Sequence, residues 1–231
     1  MPNSSYLCTT DAESLYPSTT VADFEPSTHV VACDARCVPL LWLAMFRAAD
    51  IRTQTIVIEA DPDEVSFEFD VATGDFVEIE GEDEEDEVVE AVAPLVAKER
   101  ALAQLDAAVP VLNRLFEAEG PLDDHAAMLR QAVAAAPGRF ITIELDEIDA
   151  LWEEGTFQPA LRTALSAMDA SADRAAERAD LVEIAQLRAG RAFPPARFLL
   201  DGRDAADDDF WNFVRLLGTA FSAAVPWEPS N

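Results

Sequence analysis

The chain has 231 residues, 16 basic side chains and 45 acidic ones, for a formal net charge of −29 with half its residues hydrophobic. A surface this negative repels nucleic acid and anionic membranes, while the apolar content supports a folded domain of ordinary size. The expectation is one α+β domain over 1–231 that meets a basic partner rather than nucleic acid or membrane.

The imbalance is uneven. Residues 1–97 hold Arg36, Arg47 and Arg52 against 22 acids, a net of −19, and residues 98–231 hold 13 bases against 23 acids, a net of −10. The densest stretch, Glu59 to Glu90, carries sixteen Asp or Glu and no Lys, Arg or His. Three readings compete: a solvated loop extended by its own repulsion, a partner-binding face, and the spread acidity of a salt-adapted protein. Lys98 is the one lysine beside fifteen arginines, and with abundant alanine this reads as GC-rich coding in a bacterium or archaeon.

In chain order, Ser5 to Thr9 and Thr28 to Cys33 are short apolar or β-branched runs that read as neighbouring strands. Between them Asp11 to Pro26, rich in Ser, Thr, Pro and acids, reads as a surface loop. Pro39 to Phe46 predicts a helix, apolar nearly all round and therefore the centre of the core. A β-meander is expected next, with Thr53 to Glu59 as one strand and a hairpin from Val65–Asp70 and Phe76–Glu80 turning at Ala72-Thr-Gly74-Asp75. Alternation then sets Val65, Phe67, Phe69, Val77 and Ile79 on one face and gathers Glu68, Asp70, Glu78 and Glu80 on the other.

An acidic loop over 80–87 separates this strand-rich part, about 1–80, from a helical part over about 84–231. Acids at a helix start face the positive end of its dipole, a structural explanation for the run Glu82 to Glu87. Pro94 and Pro110 should break the stretch to Glu119 into two or three helical pieces. Further helices are expected at Leu122–Ala136, after Asp146, and over Gln158–Met168, Ala172–Arg188 and Asp207–Ala224, with one strand at Arg139–Leu145. In the last helix Trp211, Val214, Leu217 and Phe221 recur at packing spacing. The fold class is thus an antiparallel or mixed sheet with a hairpin in the N-terminal third, packed against a mostly helical remainder.

Motifs for common chemistries do not occur. The eight glycines form no phosphate-binding loop or dinucleotide fingerprint, and there is neither a Gly-x-Ser-x-Gly elbow nor a His-Glu-x-x-His pair. Asp61-Pro-Asp63 lacks the glycine of a calcium loop, and no Lys follows Pro62-Asp63 as a metal-dependent nuclease would need. His29, Cys33 and Cys37 stand four apart with Cys8 on a neighbouring strand, a set that could make a Cys3His zinc site, but strand positions four apart lie about 13 Å from each other, too far for one zinc unless the chain bends after Cys33. Buried thiols are the favoured reading, so no metal and no cofactor is expected. His125, in Asp123-Asp-His-Ala, reads as an exposed first-turn helix residue.

The opening Asn3-Ser-Ser5-Tyr6-Leu7-Cys8, with Val38-Pro-Leu-Leu-Trp-Leu-Ala-Met-Phe46, resembles a group of uncharacterised bacterial proteins that begin Asn-Arg-Ser-Tyr-Leu-Tyr. Here Ser4 stands for the arginine and Cys8 for the second tyrosine. The resemblance covers about fifteen residues and implies a bacterial protein with Tyr6 on an early core strand, with no activity to carry over.

The leading expectation is a non-enzymatic acidic interaction protein, an immunity protein or inhibitor of a basic toxin or nuclease. Its partner-binding residues are Glu68, Asp70, Phe76, Glu78, Glu80, Glu82, Asp83, Glu84, Glu85, Asp86 and Glu87, with Phe76 as an aromatic anchor. No residue is assigned a catalytic role under this reading. Two alternatives stand beside it: an enzyme without a short signature, using Glu144 and Asp146 at a strand end, and a halophile's protein with a generic acidic surface. No opening run joins bases to an apolar stretch as a signal peptide does, and the longest apolar run, Val38–Phe46, is too short to span a bilayer, so a cytoplasmic location is expected.

Overall fold

The computed structural model describes residues 3–16, 20–21, 29–58, 66–70, 75–79, 87–168, 174–188, 190–196, 208–219 and 221. They form an α+β fold. Its strands are β1 (Ser4–Thr10), β2 (Thr20–Val21), β3 (His29–Ala35), β4 (Ile51–Ile58), β5 (Ser66–Asp70), β6 (Asp75–Ile79), β7 (Glu87–Ala97) and β8 (Phe140–Glu144). The main sheet has the order β2-β4-β7-β8-β1-β3, and β5 pairs with β6 apart from it. All pairings are antiparallel except the short β2 beside β4. The early strands are neighbours as expected: Ser4 pairs with Ala35 and Thr9 with His29.

Alternation along the strands of the main sheet separates two apolar layers. Leu7, Ile51, Val96, Ile141 and Ile143 face the large core built with the helices, while Ile56, Ala91 and Leu95 face a smaller one closed by Leu15 and Tyr16. The segment after Asp11 is therefore more than a surface loop. It buries the Leu15 and Tyr16 side chains on the second face of the sheet, and Thr20 and Val21 further along it contribute strand β2.

Helix α1 (Leu40–Leu43) is shorter than its apolar run predicts, yet it occupies the centre of the core as expected. Every side chain from Leu40 to Phe46 is fully buried. Pro39 precedes the first turn with extended ψ, and its fixed φ suits the entry to the helix. The Trp42 indole N–H donates to the Leu217 carbonyl at 2.7 Å, which ties α1 to the end of α7 (Asp208–Leu217). Gly218 adopts a left-handed, positive φ, and a Cβ there would overlap the Trp42 ring, so both backbone conformation and space demand glycine.

The stretch from Glu87 to Ala97 is one long strand, not the first helical piece. Its β-branched content outweighs the charges before it, and Pro94 is accommodated in the strand opposite Ile51. The helical part thus begins at Lys98. There α2 (Lys98–Leu115) runs unbroken through Pro110, which lies on the solvent side where the carbonyl that loses its partner can turn to water. Helices α3 (Asp123–Ala135), α4 (Asp146–Asp149), α5 (Phe157–Ser166) and α6 (Arg174–Ile184) fall close to expectation. Asp146 starts α4 as its first residue, with Leu145 in the cap position.

On α7, Val214, Leu217 and, just beyond the helix, Phe221 are buried, but Trp211 is 47% exposed and packs edge-on against Phe210 at 5.4 Å. The core stripe is completed instead by Phe213 and Leu216. Among the described residues no helix is long and apolar enough to cross a membrane.

Candidate partner-binding site

Strands β4 and β7 are adjacent in the sheet and pair from Ile51↔Pro94 to Ile58↔Glu87. Ile58 and Glu87 stand opposite each other at the end of this ladder, so residues 59–86 form an insertion at the place where a two-strand hairpin would otherwise turn. The acidic stretch of the sequence and this topological insertion coincide. Within it, β5 and β6 form a two-stranded sheet of their own. The expected hairpin is present, but the meander is not: β4 pairs with β7, and the hairpin is an excursion between them.

The register of the hairpin redistributes the acids. Glu68 opposes Val77, Phe67 opposes Glu78, and Asp70 opposes Asp75. Directly opposed positions share a face of an antiparallel pair, so Glu68 and Asp70 belong to one row and Glu78 to the other. The single acidic face expected from alternation is replaced by acids in both rows, and Phe76 pairs with Phe69.

Glu80, Glu82, Asp83, Glu84, Glu85 and Asp86 lie outside the described residues, and Glu87 opens β7. The run Glu82 to Glu87 therefore leads into a strand, and stabilisation by a helix dipole, the structural explanation for a row of acids, does not apply to it. Glu90, exposed and opposite Thr55, continues the negative surface onto the main sheet.

A second group of acids stands at the end of β8. Glu144 accepts a hydrogen bond from the Cys8 thiol at 3.3 Å. Asp146 is exposed overall, yet the protein surrounding its carboxyl, with the Asp149 charge adding to the effect, raises its pKa above the ordinary carboxylate value. Beside it the buried Tyr16 phenol is pushed up to about 12 by burial, then by the charges of Asp146 and Glu144. The cleft these residues line has a volume of about 30 Å³. That is room for a single water molecule.

The cysteines and His29 do not converge. Cys8 pairs with Val30 and Cys33 with Tyr6 across β1 and β3, and Cys37 is buried beyond the strand, with its thiol pKa raised by burial and by Asp34. Among the described residues no three His, Cys, Asp or Glu are placed to hold a metal.

His125 overturns its expectation. It is 3% exposed, its Nε2 bonds the Pro194 carbonyl at 3.0 Å, and burial lowers its pKa against the smaller opposing effects of that bond and Asp124. It lines a cleft of about 380 Å³ with Asp123, Asp124, Phe193 and Pro194. The residues that cover it arrive from a loop far along the chain, and nothing in Asp123-Asp-His-Ala announces them.

No family model, curated protein or solved structure matches the chain.

Proposed function

We propose that the protein is a non-enzymatic acidic interaction protein, an immunity protein or inhibitor that works in the cytoplasm by binding a basic toxin or nuclease. The observation that carries this reading is the placement of the acids: Glu59 to Glu90 bears sixteen carboxylates and no base, and most of it is an insertion between paired strands, not a helix start. A two-residue turn would close the β4–β7 ladder, and an acidic stretch in its place favours electrostatic encounter with a cationic surface. Carboxylates from Glu68, Asp70, Glu78, Glu80 and the Glu82–Glu87 run pair with the Arg and Lys side chains the target uses to hold its substrate, and Phe76 supplies an aromatic anchor.

The test is affinity capture from host lysate at low salt, using the native protein and a variant with Glu82, Glu84, Glu85 and Glu87 changed to Gln and Asp83 and Asp86 to Asn. The expected result is one basic protein held by the native chain, released as salt shortens the screening length from about 30 Å to about 3 Å, and lost from the variant. Equal capture by the two, or a diffuse set of cationic proteins, would falsify the reading. A carboxylate-pair enzyme has the raised Asp146 in its favour, and the water-sized cleft beside it weighs against a substrate site.

A further inference from the structure

An open face of the sheet beside the acidic insertion deepens the acidic-interaction reading and rests on it. Along β7, Val88, Glu90, Val92, Pro94 and Val96 alternate onto the face of the sheet that the helices cover, and β4 sets Val57, Thr55, Thr53 and Ile51 opposite the first four. At the end next to α2, Ile51, Pro94 and Val96 are buried. Towards the insertion the cover stops. Thr53, Thr55 and Glu90 are exposed, Val57 and Val92 are half-buried, and Val88 is 68% exposed.

The exposure is one-sided. At the same level of the ribbon the opposite face is closed, since Ile56 and Ala91 are buried with Leu15 and Tyr16, and β2 lies against Val57 and Ile58 at the edge. The ribbon is thus a supported part of the sheet that presents a β-branched, apolar-centred surface to solvent. Large exposed apolar side chains are few among the described residues. Val88 is the most exposed of them, and it directly follows the Glu82–Glu87 run.

Charge decides what fits there. Glu90 lies on the face itself, and the acids of Glu59–Glu87 leave and rejoin the sheet at its end. A second copy would bring another chain of net charge −29 against the same end and be repelled, whereas a cationic protein gains from the encounter. We propose that this face, centred on Val88 with Val57 and Val92 and edged by Thr53, Thr55 and Glu90, is the apolar centre of the docking surface for the basic partner. Glu90 sets an acid on the face itself, and the acidic stretch begins where the β4–β7 ladder ends at Ile58 and Glu87. Stable interfaces combine a desolvated apolar centre with a charged surround, and the charges alone supply rate more than residence time. The partner therefore presents an apolar side chain flanked by Arg or Lys.

The experiment compares two synthetic peptides of equal charge, one of alternating Arg and Leu and one of alternating Arg and Ser, titrated at low salt onto the full chain and onto Val88→Ser. The Arg-Leu peptide should bind the native chain about tenfold more tightly, the gain expected from burying one apolar side chain. That gap should close in Val88→Ser while the Arg-Ser affinity stays unchanged. Equal binding of the two peptides to the native chain, or a gap that survives in Val88→Ser, overturns the apolar centre and leaves the acidic reading standing. Binding of neither peptide overturns both. Val88→Thr keeps the branched shape of the side chain and serves if the serine variant folds poorly. Sedimentation of the native chain as a dimer that Val88→Ser dissociates would assign the face to a second copy and overturn the proposal.

Discussion

The two ends of β7 live in opposite environments. Its C-terminal half, Pro94 to Val96, is buried between the helical core and the layer under Leu15 and Tyr16; its N-terminal half presents Val88 and Glu90 to solvent beside the acidic insertion. One continuous strand thus joins a buried region to one that is open to solvent. The difference locates packing at one end of the sheet and the proposed docking face at the other.

The comparison breaks most easily at α1. Trp42→Ala removes a fully buried ring and its bond to Leu217. It should cost about 3–5 kcal/mol in urea unfolding.

A smaller effect is expected where charge is buried. Glu119 is nearly inaccessible, and its carboxylate accepts a bond of 2.5 Å from Arg178, whose guanidinium lies over the Phe116 ring at 4.8 Å. Glu119→Ala removes the guanidinium's carboxylate partner while its Nε–H keeps the Leu115 carbonyl at 3.0 Å, and since Arg178 is a third exposed, water recovers part of the loss. The expected cost in the same assay is about 1 kcal/mol, discounted for that solvent access.

At the end of the sheet that carries the insertion the effects on folding should be smaller again. Excising residues 59–86 and joining Ile58 to Glu87 through Asn-Gly keeps the flanking strands in the register they already hold. It should change stability by less than about 1 kcal/mol. Collapse of the excised protein would show that the insertion belongs to the fold. Reversal of one acid on the insertion should leave the unfolding midpoint in place or raise it, since it relieves repulsion.

The smallest effect is set by pH. The folded state lowers the pKa of His125 below the ordinary 6.5, so above 6.5 the residue is neutral in both states and its full contribution is present. As pH falls below 6.5 the unfolded chain takes up a proton that the folded chain refuses, and stability drops until the buried imidazole itself protonates. Unfolding midpoints of the native protein should therefore fall more between neutral and mildly acidic pH than those of His125→Gln, and equal slopes would remove His125 as the cause.

Elements with an unbroken apolar or alternating pattern were legible from residues alone. The run Leu40–Phe46 had one apolar identity on every side and had to lie inside; Phe140–Glu144 and the helices after Pro121 had clear turn or proline boundaries. Glu87 to Ala97 was misread because acids ahead of an Ala- and Val-rich run fit a helix start as well as a strand, and only the ladder to Ile51–Ile58 decides between them. Glu68, Asp70 and Glu78 are expected on one face and fall in two rows, since the register depends on a turn whose length the pattern leaves open by one residue. Val88 carried no signal at all: an exposed valine and a buried one read alike.

The sequence by itself determined the charge and its concentration in Glu59–Glu90, the burial of Leu40–Phe46, and the α+β class, because net charge and hydrophobic periodicity are properties of local composition. The tertiary structure decided that β4 and β7 are neighbours, that the acidic stretch is an insertion between them, that His125 is buried, and that the helical cover ends short of Val88. These are pairings between segments distant along the chain, and local composition does not encode which distant segment supplies the other half of a contact.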